Sequence, residues 1–548
     1  MRKIFNNFTK NPKDDILSGI TVSLAMIPEV VAFAFVIGID PLVALSGAFM
    51  IGLITALFGG RPGLISGAAG AVAVIFADLI IEGHEKGLAM EVPVDNMQYI
   101  YLFAAVILMG IIQVLAGVFK VGKFVRLIPH PVMMGFVNGL AIVIFWAQVK
   151  MFRNRTAVVD ENGVTDYVAS YMEGSQLYIM IGLVALTMAI VFFLPKLTKK
   201  IPAALTAIIV VTAIVILGDM EGVSTVGSYI RDGGGTGLKG ELPTFNTELW
   251  EKLPLGLETF KFILPYAFLA AAVGLIESLM TMNLVDELTE TRGSGNRECV
   301  AQGAGNIVSG LFGGTGGCGM IGQTVININA GGRGRLSGVM MSLTLLVFLL
   351  FTDQYIEQVP IAALVGVMFM MVIETFAWSS FRILGKIPKS DAVVLIIVSV
   401  VTVIFDLAIA VFVGVIISAL VFAWESAKRI RARKSIKDDG TKVYEIWGGP
   451  LFFGSVTDFN MKFDPKNDPD KIEIDFIEAR VQDHSGIEAL RGVANKYLDL
   501  GKEIKLTHLS PECKQLLIKN SPEFDTIIES SIEDPRYHIA TDLLDAEV

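Results

Sequence analysis

The chain has 548 residues, 53% of them hydrophobic, and a formal net charge of −10. Charged residues make up 18%, against roughly 25% in ordinary soluble domains, and the mean hydropathy is +0.61. A soluble globular protein is excluded, and an acidic balance held mainly in the tail and outer loops gives no support for nucleic-acid binding.

Met1 to Asp15 is polar and basic, with Arg2, Lys3, Lys10 and Lys13, and predicts a cytoplasmic start. The apolar run that follows is long enough to span and stay, and no cleavable signal peptide is visible. Spans are predicted at 16–37, 42–58, a half-span at 64–80, then 98–119, 127–149, 176–194 and 202–218. A polar, Gly-rich loop fills 219–260. The second set is predicted at 261–285, 298–313, a half-span at 317–330, then 336–352, 357–375, 390–404 and 407–425, about seven plus seven.

Charge supports that count. If every span crosses, one side carries Arg61; Lys120, Lys123 and Arg126; Lys196, Lys199 and Lys200; Arg333 and Arg335; Arg382, Lys386 and Lys389; and the run KRIRARK at 428–434. The other side carries Glu82, Glu85, Glu91 and Asp95; Asp160 and Glu161; Asp219 and Glu221; Asp353 and Glu357. Positive loops mark the cytoplasmic side, so both termini are expected inside. An odd number of spans per half makes the halves inverted relative to each other.

Beyond the basic run, KVYEI and KIEIDF alternate with period two and read as strands, Ser485 to Leu498 as an amphipathic helix, and Glu503 to Leu506 as a further strand. The expected fold is therefore an α-helical polytopic membrane protein, with about 14 spans in a 7+7 inverted repeat, plus a small cytoplasmic α/β domain. Its divisions are 1–15, a cytoplasmic N-terminus; 16–218, the first membrane repeat; 219–260, an extracytoplasmic loop; 261–427, the second repeat; and 428–548, a basic linker and the soluble domain.

One repeated stretch organises the chain. LFGGTGGCGMIGQTVININ from Leu311 and LFGGRPGLISGAAGAVAVI from Leu57 lie 254 residues apart. Each runs through a Gly-rich turn into a short apolar segment. Broken helices at matching places in two halves are a mark of secondary transporters, whose half-helix N-termini meet near the midplane at the substrate. Each such end offers free N–H groups and about half a positive charge. The small residues Gly67, Ala68, Ala69 and Gly70, with Gly317, Cys318 and Gly319, allow an anion close to the backbone, or allow helices to pack. Gln323 is the nearest polar side chain on the second half-helix.

Glu29 and Glu277 sit mid-span at similar places in the first span of each half. A carboxylate at the bilayer centre costs roughly 2.5–3.5 kcal/mol on insertion scales, which marks both as candidates for binding a proton or sodium ion and coupling its movement to a substrate. Thr281, one turn beyond Glu277, shares its face and offers a hydroxyl.

GITVSLAMIPEVVAFA (19–34), GLIESLMT (274–281), GNIVSGLFGG (305–314) and INAGGRGRLSG (328–338) resemble the sulfate permease (SulP) family of anion transporters. WGGPLFFGSV (447–456) and DHSGIEALR (483–491) resemble that family's STAS domain. The resemblance implies core and gate domains and a homodimer. It matches Glu277 and Thr281 to positions that coordinate sodium in bicarbonate-carrying members, where Asp commonly replaces the Glu. It also matches Gly319, Met320 and Ile321 to the backbone segment of the second half-helix, and Gly67 to Gly70 to the first. Two departures stand out. Gly322-Gln323 replaces a frequent Ser-Arg, and Gly316 replaces a frequent Pro. Losing the Arg removes a fixed positive charge, which favours a monovalent anion or cation-coupled symport over divalent sulfate. Ser485 lies where related soluble regulators are phosphorylated, a position where Ser also serves as a helix N-cap.

The reading is a secondary transporter of a small inorganic anion, bicarbonate or sulfate in class, coupled to Na+ or H+, in the inner (plasma) membrane, surrounded by lipid. A dicarboxylate carrier or a nucleobase–cation symporter of the same architecture is the alternative, and a sensor with the STAS-like domain as output is weaker still. An enzyme is not expected. The five histidines show no ligand spacing for catalytic zinc, which needs about three protein ligands, and the three cysteines are scattered.

Overall fold

The structure, a computed structural model, describes the chain apart from residues 1–7, 10, 90–95, 121–128, 160–164, 199–201, 221, 233–237, 255, 405–406, 510, 521 and 530–548. The expected loop charges at Arg2, Lys3, Lys10, Glu91, Asp95, Lys123, Arg126, Asp160, Glu161, Lys199, Lys200 and Glu221 fall outside the described residues. The chain divides into two compact units, Met1–Val415 and Ile416–Val548.

In the first unit α1 (Pro12–Ile37), α2 (Pro41–Phe58), β1 (Ser66–Gly67), α3 (Gly70–Leu88), α4 (Met97–Val118) and α5 (His130–Val149) come first. Then follow β2 (Arg153–Val159), β3 (Thr165–Tyr171), α6 (Gly174–Leu197), α7 (Ala203–Leu217) and the short α8 (Val226–Asp232) and α9 (Glu248–Lys252). The second half has α10 (Leu257–Thr289), α11 (Gly295–Leu311), β4 (Cys318–Gly319), α12 (Ile321–Asn329) and α13 (Arg335–Phe351). It continues with the short α14 (Asp353–Glu357), α15 (Ile361–Thr375), the short α16 (Ser379–Ile383), α17 (Lys389–Ile404) and α18 (Leu407–Ala427), which enters the second unit. Among the described residues seven stretches are long and apolar enough to cross a membrane by length and composition, one of them Ile361–Ile383, which joins α15 and α16.

Local chemistry sets the helix ends. Pro12 opens α1 with Asp14 and Asp15 in its first turn, and Gly38, at φ 84°, closes it by donating to the Ala34 carbonyl. The Asp40 side chain caps α2 by accepting from Leu42 N at 2.7 Å. Polar groups collect at opposite ends of the unit. At one end Arg335 donates to the carbonyls of Ala56, Leu57 and Gly59 at the C-terminal end of α2, and Arg61 pairs with Asp286 at 3.1 Å near the end of α10. Asp15 accepts from the backbone of Arg333 and Gly334 there. At the other, Arg231 pairs with Glu357 and Asp353 accepts from Gly240 N.

Three features depart from the sequence reading. The first half-span begins its helix only at Gly70, yet α3 runs on to Leu88 through exposed Glu82, Glu85 and Lys86. An antiparallel β2–β3 hairpin stands where a plain connection was expected. The basic run is not simply a linker: Arg431 to Lys434 lie in a strand, β5.

The second unit pairs β5 (Arg431–Ile436) antiparallel to β6 (Lys442–Trp447), which is parallel to β7 (Lys471–Asp475) and that to β8 (Glu503–Thr507), in the order β5-β6-β7-β8. Helices α19 (Val456–Asn460), α20 (His484–Leu498) and α21 (Pro511–Asn520) complete it. Ile446, Ile472, Ile474, Leu490, Val493 and Leu506 form the core, the period-two face of the strands meeting the apolar stripe of α20. Ser485 does not cap α20. Asp483 does, accepting from Gly486 N at 2.8 Å, while Ser485 is exposed in the first turn.

A buried carboxylate braces this unit. Asp468 receives Lys442 Nζ at 2.5 Å, Tyr444 OH at 2.6 Å and Tyr497 OH at 2.5 Å. Burial pushes its pKa up, but these three donors outweigh burial and hold the carboxyl below its ordinary value. The stabilisation is therefore complete above the unfolded pKa of about 3.9 and is lost as pH falls through the lower folded value. Asp468→Asn should cost on the order of 2 kcal/mol at neutral pH, because it removes the charge that accepts from two buried tyrosine hydroxyls and a half-buried lysine. Amide exchange of β6 to β8 in the full chain should quicken accordingly. Wild-type protection of these strands, relative to the intrinsic exchange rate at each pH, should fall only in acid below about pH 4.

Candidate functional site

The two Gly-rich stretches meet. Ser66 pairs with Gly319 and Gly67 with Cys318 in an antiparallel two-residue ladder, extended by Met320 N donating to the Ile65 carbonyl at 2.9 Å. Short strands satisfy backbone groups that a bilayer interior would leave costly. Immediately after the ladder each strand turns into a helix, α3 after Ala69 and α12 after Met320. Two helix N-termini thus leave one crossing, each with first-turn N–H groups that no intrahelical carbonyl can take.

The crossing is held by polar side chains in otherwise apolar helices. Asn306 accepts from Gly317 N at 2.9 Å, donates to the Gly317 carbonyl at 3.0 Å and to Gln113 at 2.8 Å. Gln302 donates to Ser66 Oγ and to Glu298, which accepts from Gly60 N at 2.8 Å. Thr324 Oγ1 accepts from Ile65 N at 3.0 Å, and Ser278 Oγ accepts from Gly319 N at 2.8 Å. These residues were missed from sequence, although Gln302 and Asn306, both fully buried, stand out as amides in a predicted span.

The two mid-span carboxylates flank the crossing and are half-buried. Glu29, on α1, accepts from Gln323 of α12, which links the halves. Glu277, on α10, receives the Cys318 thiol at 3.1 Å. Thr281 is close, but its hydroxyl donates to the carbonyls of Glu277 at 2.8 Å and Gly319 at 3.2 Å. Among the described residues no group of three or more His, Cys, Asp and Glu is arranged to hold a metal ion.

Space at the glycines differs sharply. A Cβ at Gly317 would fall 2.1 Å from the Gly67 carbonyl oxygen, and one at Gly319 would fall 3.1 Å from Leu64 Cδ2 and Ser278 Cα. At Gly67 it would meet Met26 Sδ at 3.0 Å, and at Gly70 Phe33 Cε1 at 2.7 Å and Ile144 Cδ1 at 3.1 Å. Ala68, Ala69, Cys318 and Met320 are likewise buried. Close packing therefore accounts for the smallness of these positions. Gly322, in the first turn of α12 beside half-buried Ile321, is different: it is exposed, and a Cβ there meets nothing within 4 Å. The start of α3 is roofed by Phe33 and Ile144, whereas the start of α12 is open.

Beyond that roof, a cavity of about 830 Å³ lies between the later turns of α1, α3 and α5, lined among others by Asp78, His84, Trp146, Lys150 and Arg153.

A model of the Sulfate permease family matches residues 13–398. "Putative sulfate transporter YbaR" of Bacillus subtilis (strain 168) is 40% identical over 92% of this chain and 96% of its own. The solved transmembrane domain of a cyanobacterium bicarbonate transporter, BicA, is 28% identical, with a TM-score of 0.61 over 74% of this chain and 99% of that one. The murine Slc26a9 anion transporter in the inward-facing state is 16% identical with a TM-score of 0.78, over 99% of this chain and 95% of that one, a likeness of fold.

Gly317→Ala must push β1 and β4 apart and should lower yield and thermal stability of the purified protein. Gly322→Ala, in open space, should leave both at wild-type level. Fluorescence-detected size exclusion across a temperature series reads both.

Proposed function

The chain belongs to the sulfate permease family, and from that premise we propose a site and a coupling scheme for its transport of a small inorganic anion of the sulfate and bicarbonate class. Membership places it among multi-pass membrane transporters and not among enzymes. The anion is held at the first turn of α12, facing Gly322. The observation that carries this is the open space at Gly322, in the first turn of α12 just beyond the crossing of the two Gly-rich segments.

The chemistry follows from the groups present. First-turn N–H groups of α12 and the positive ends of two helices favour an anion. Gly67, Ala68, Ala69, Gly70, Cys318, Gly319 and Met320 hold the two ends at that separation, and Gln323 sets the field by holding Glu29. Without a fixed cationic side chain in the pairings described there, the counter-charge comes from the helix ends and from a co-transported cation, Na+ or H+. Glu277 is its seat, with the Thr281 hydroxyl and the Gly319 carbonyl as neighbouring oxygens.

The membrane is taken to be the inner one, and the charged ends of the membrane unit support an orientation with the Arg61, Arg333 and Arg335 end and both termini in the cytoplasm. The second unit is then cytoplasmic, with Ser485 exposed on its α20 as a regulatory phosphosite, and the working assembly is a homodimer. Residues 16–218 and 261–427 act as the two repeats and 428–548 as the regulatory part.

In proteoliposomes, Glu277→Gln should abolish the stimulation of anion uptake by a sodium or proton gradient. Glu29→Gln should shift its pH dependence more than its maximal rate. Gradient dependence that survives Glu277→Gln would remove that residue from coupling.

The site itself is tested by Gly322→Leu. It should fold and run monodisperse like wild type yet lose anion affinity at least tenfold, measured by calorimetry with bicarbonate and sulfate. Unchanged affinity in that protein would place the anion elsewhere.

A further inference from the structure

We propose that the junction of α18 and β5 binds the phosphate headgroups of anionic phospholipids. Three features of the second unit coincide there.

The first is charge. Lys428, Arg429, Arg431, Arg433 and Lys434 lie within seven residues and are all exposed, in a chain whose net charge is −10. Only Arg433 has an acidic partner among the described residues, Glu445 at 3.4 Å. Of the other four, three rest on aromatic faces, Lys428 over Trp424 at 4.6 Å, Arg431 over Trp447 at 5.5 Å and Lys434 over Tyr444 at 5.1 Å. A cation on a ring keeps its outward donors available.

The second is position in the chain. Three residues separate the end of α18, an apolar helix, from β5. Its last turns expose Phe422 by 71% and Trp424 by 64%. Aromatic rings at the end of a span sit at headgroup level, and a basic cluster directly beyond them lies within a Debye length of lipid phosphates.

The third is rigidity. Ile430, between the basic residues, is buried in the core of the second unit. Gly448, at φ 87°, brings its backbone so close that a Cβ would fall 2.4 Å from the Arg429 carbonyl oxygen. The cations are therefore presented by a fixed edge strand whose β6 side is paired. The same charges keep the free edge from pairing with another chain.

Native mass spectrometry of the full-length protein, with phosphatidylglycerol and phosphatidylcholine of matched chain length added in equal amounts, tests this. Wild type should retain phosphatidylglycerol preferentially, and raised ionic strength before dilution should reduce the preference. Each lost charge should weaken the preference on the order of fivefold. Lys428→Gln, Arg431→Gln and Lys434→Gln together should therefore erase it, and Lys428→Arg, Arg431→Lys and Lys434→Arg together should keep it. Arg433 stays in place to preserve its pair with Glu445. An equal phosphatidylglycerol preference in wild type and the triple Gln protein overturns the proposal, as does no preference in wild type.

Discussion

The structure depends on one constraint, that backbone placed in the middle of a membrane unit must still be hydrogen-bonded. Two glycine-rich segments solve it jointly, each supplying the strand that the other lacks. Ser66 and Gly67 take Gly319 and Cys318 as partners, and this frees each chain to begin a helix one or two residues later. The demand then passes outward, because the residues that lead into the ladder need partners of their own. Asn306, Gln302, Thr324 and Ser278 supply them. Each polar bond of this kind contributes about 1 kcal/mol net, but leaving a buried partner unpaired costs more, about 1–3 kcal/mol. The network is thus better understood as the condition for the crossing than as a store of extra stability.

Symmetry and its breaking follow from that arrangement. The repeats supply equivalent strands and half-helices, yet the environments differ. Phe33 and Ile144 close over the start of α3, while the start of α12 stays open at Gly322. The carboxylates differ too. Glu29 reaches across to the other repeat through Gln323, whereas Glu277 stays with its own through Cys318. Two related carboxyl groups in unlike surroundings suit the two different roles proposed for them.

Much of this was legible in the sequence for a physical reason. Apolar runs of bilayer length and glycine pairs at a 254-residue spacing are coarse signals, and they located the spans, the repeat and the crossing. Mid-span carboxylates are costly enough that their presence alone marked Glu29 and Glu277. What escaped depends on direction in space. Sequence alone could not separate Gly319, whose Cβ direction meets Leu64 and Ser278, from Gly322, whose direction is empty. Nor could it tell that Thr281, on the right face of its helix, turns its hydroxyl to two carbonyls. The strand at Arg431–Ile436 was hidden because its residues are mostly charged or small, and its place is fixed by pairing with β6. Ser485 looked like a cap, but Asp483, two residues earlier, reaches the Gly486 N–H.

The central claim is that an anion is bound by backbone at the start of α12 and not by a charged side chain. A cryo-electron microscopy structure of the wild-type protein at a saturating concentration of a heavy oxyanion such as selenate tests it most directly. The account predicts density facing Gly322, within hydrogen-bond reach of the first-turn N–H groups of α12 and flanked by Glu29 and Glu277. Density resting on Lys150 and Arg153 in the cavity beyond Phe33, with an empty crossing, would contradict it.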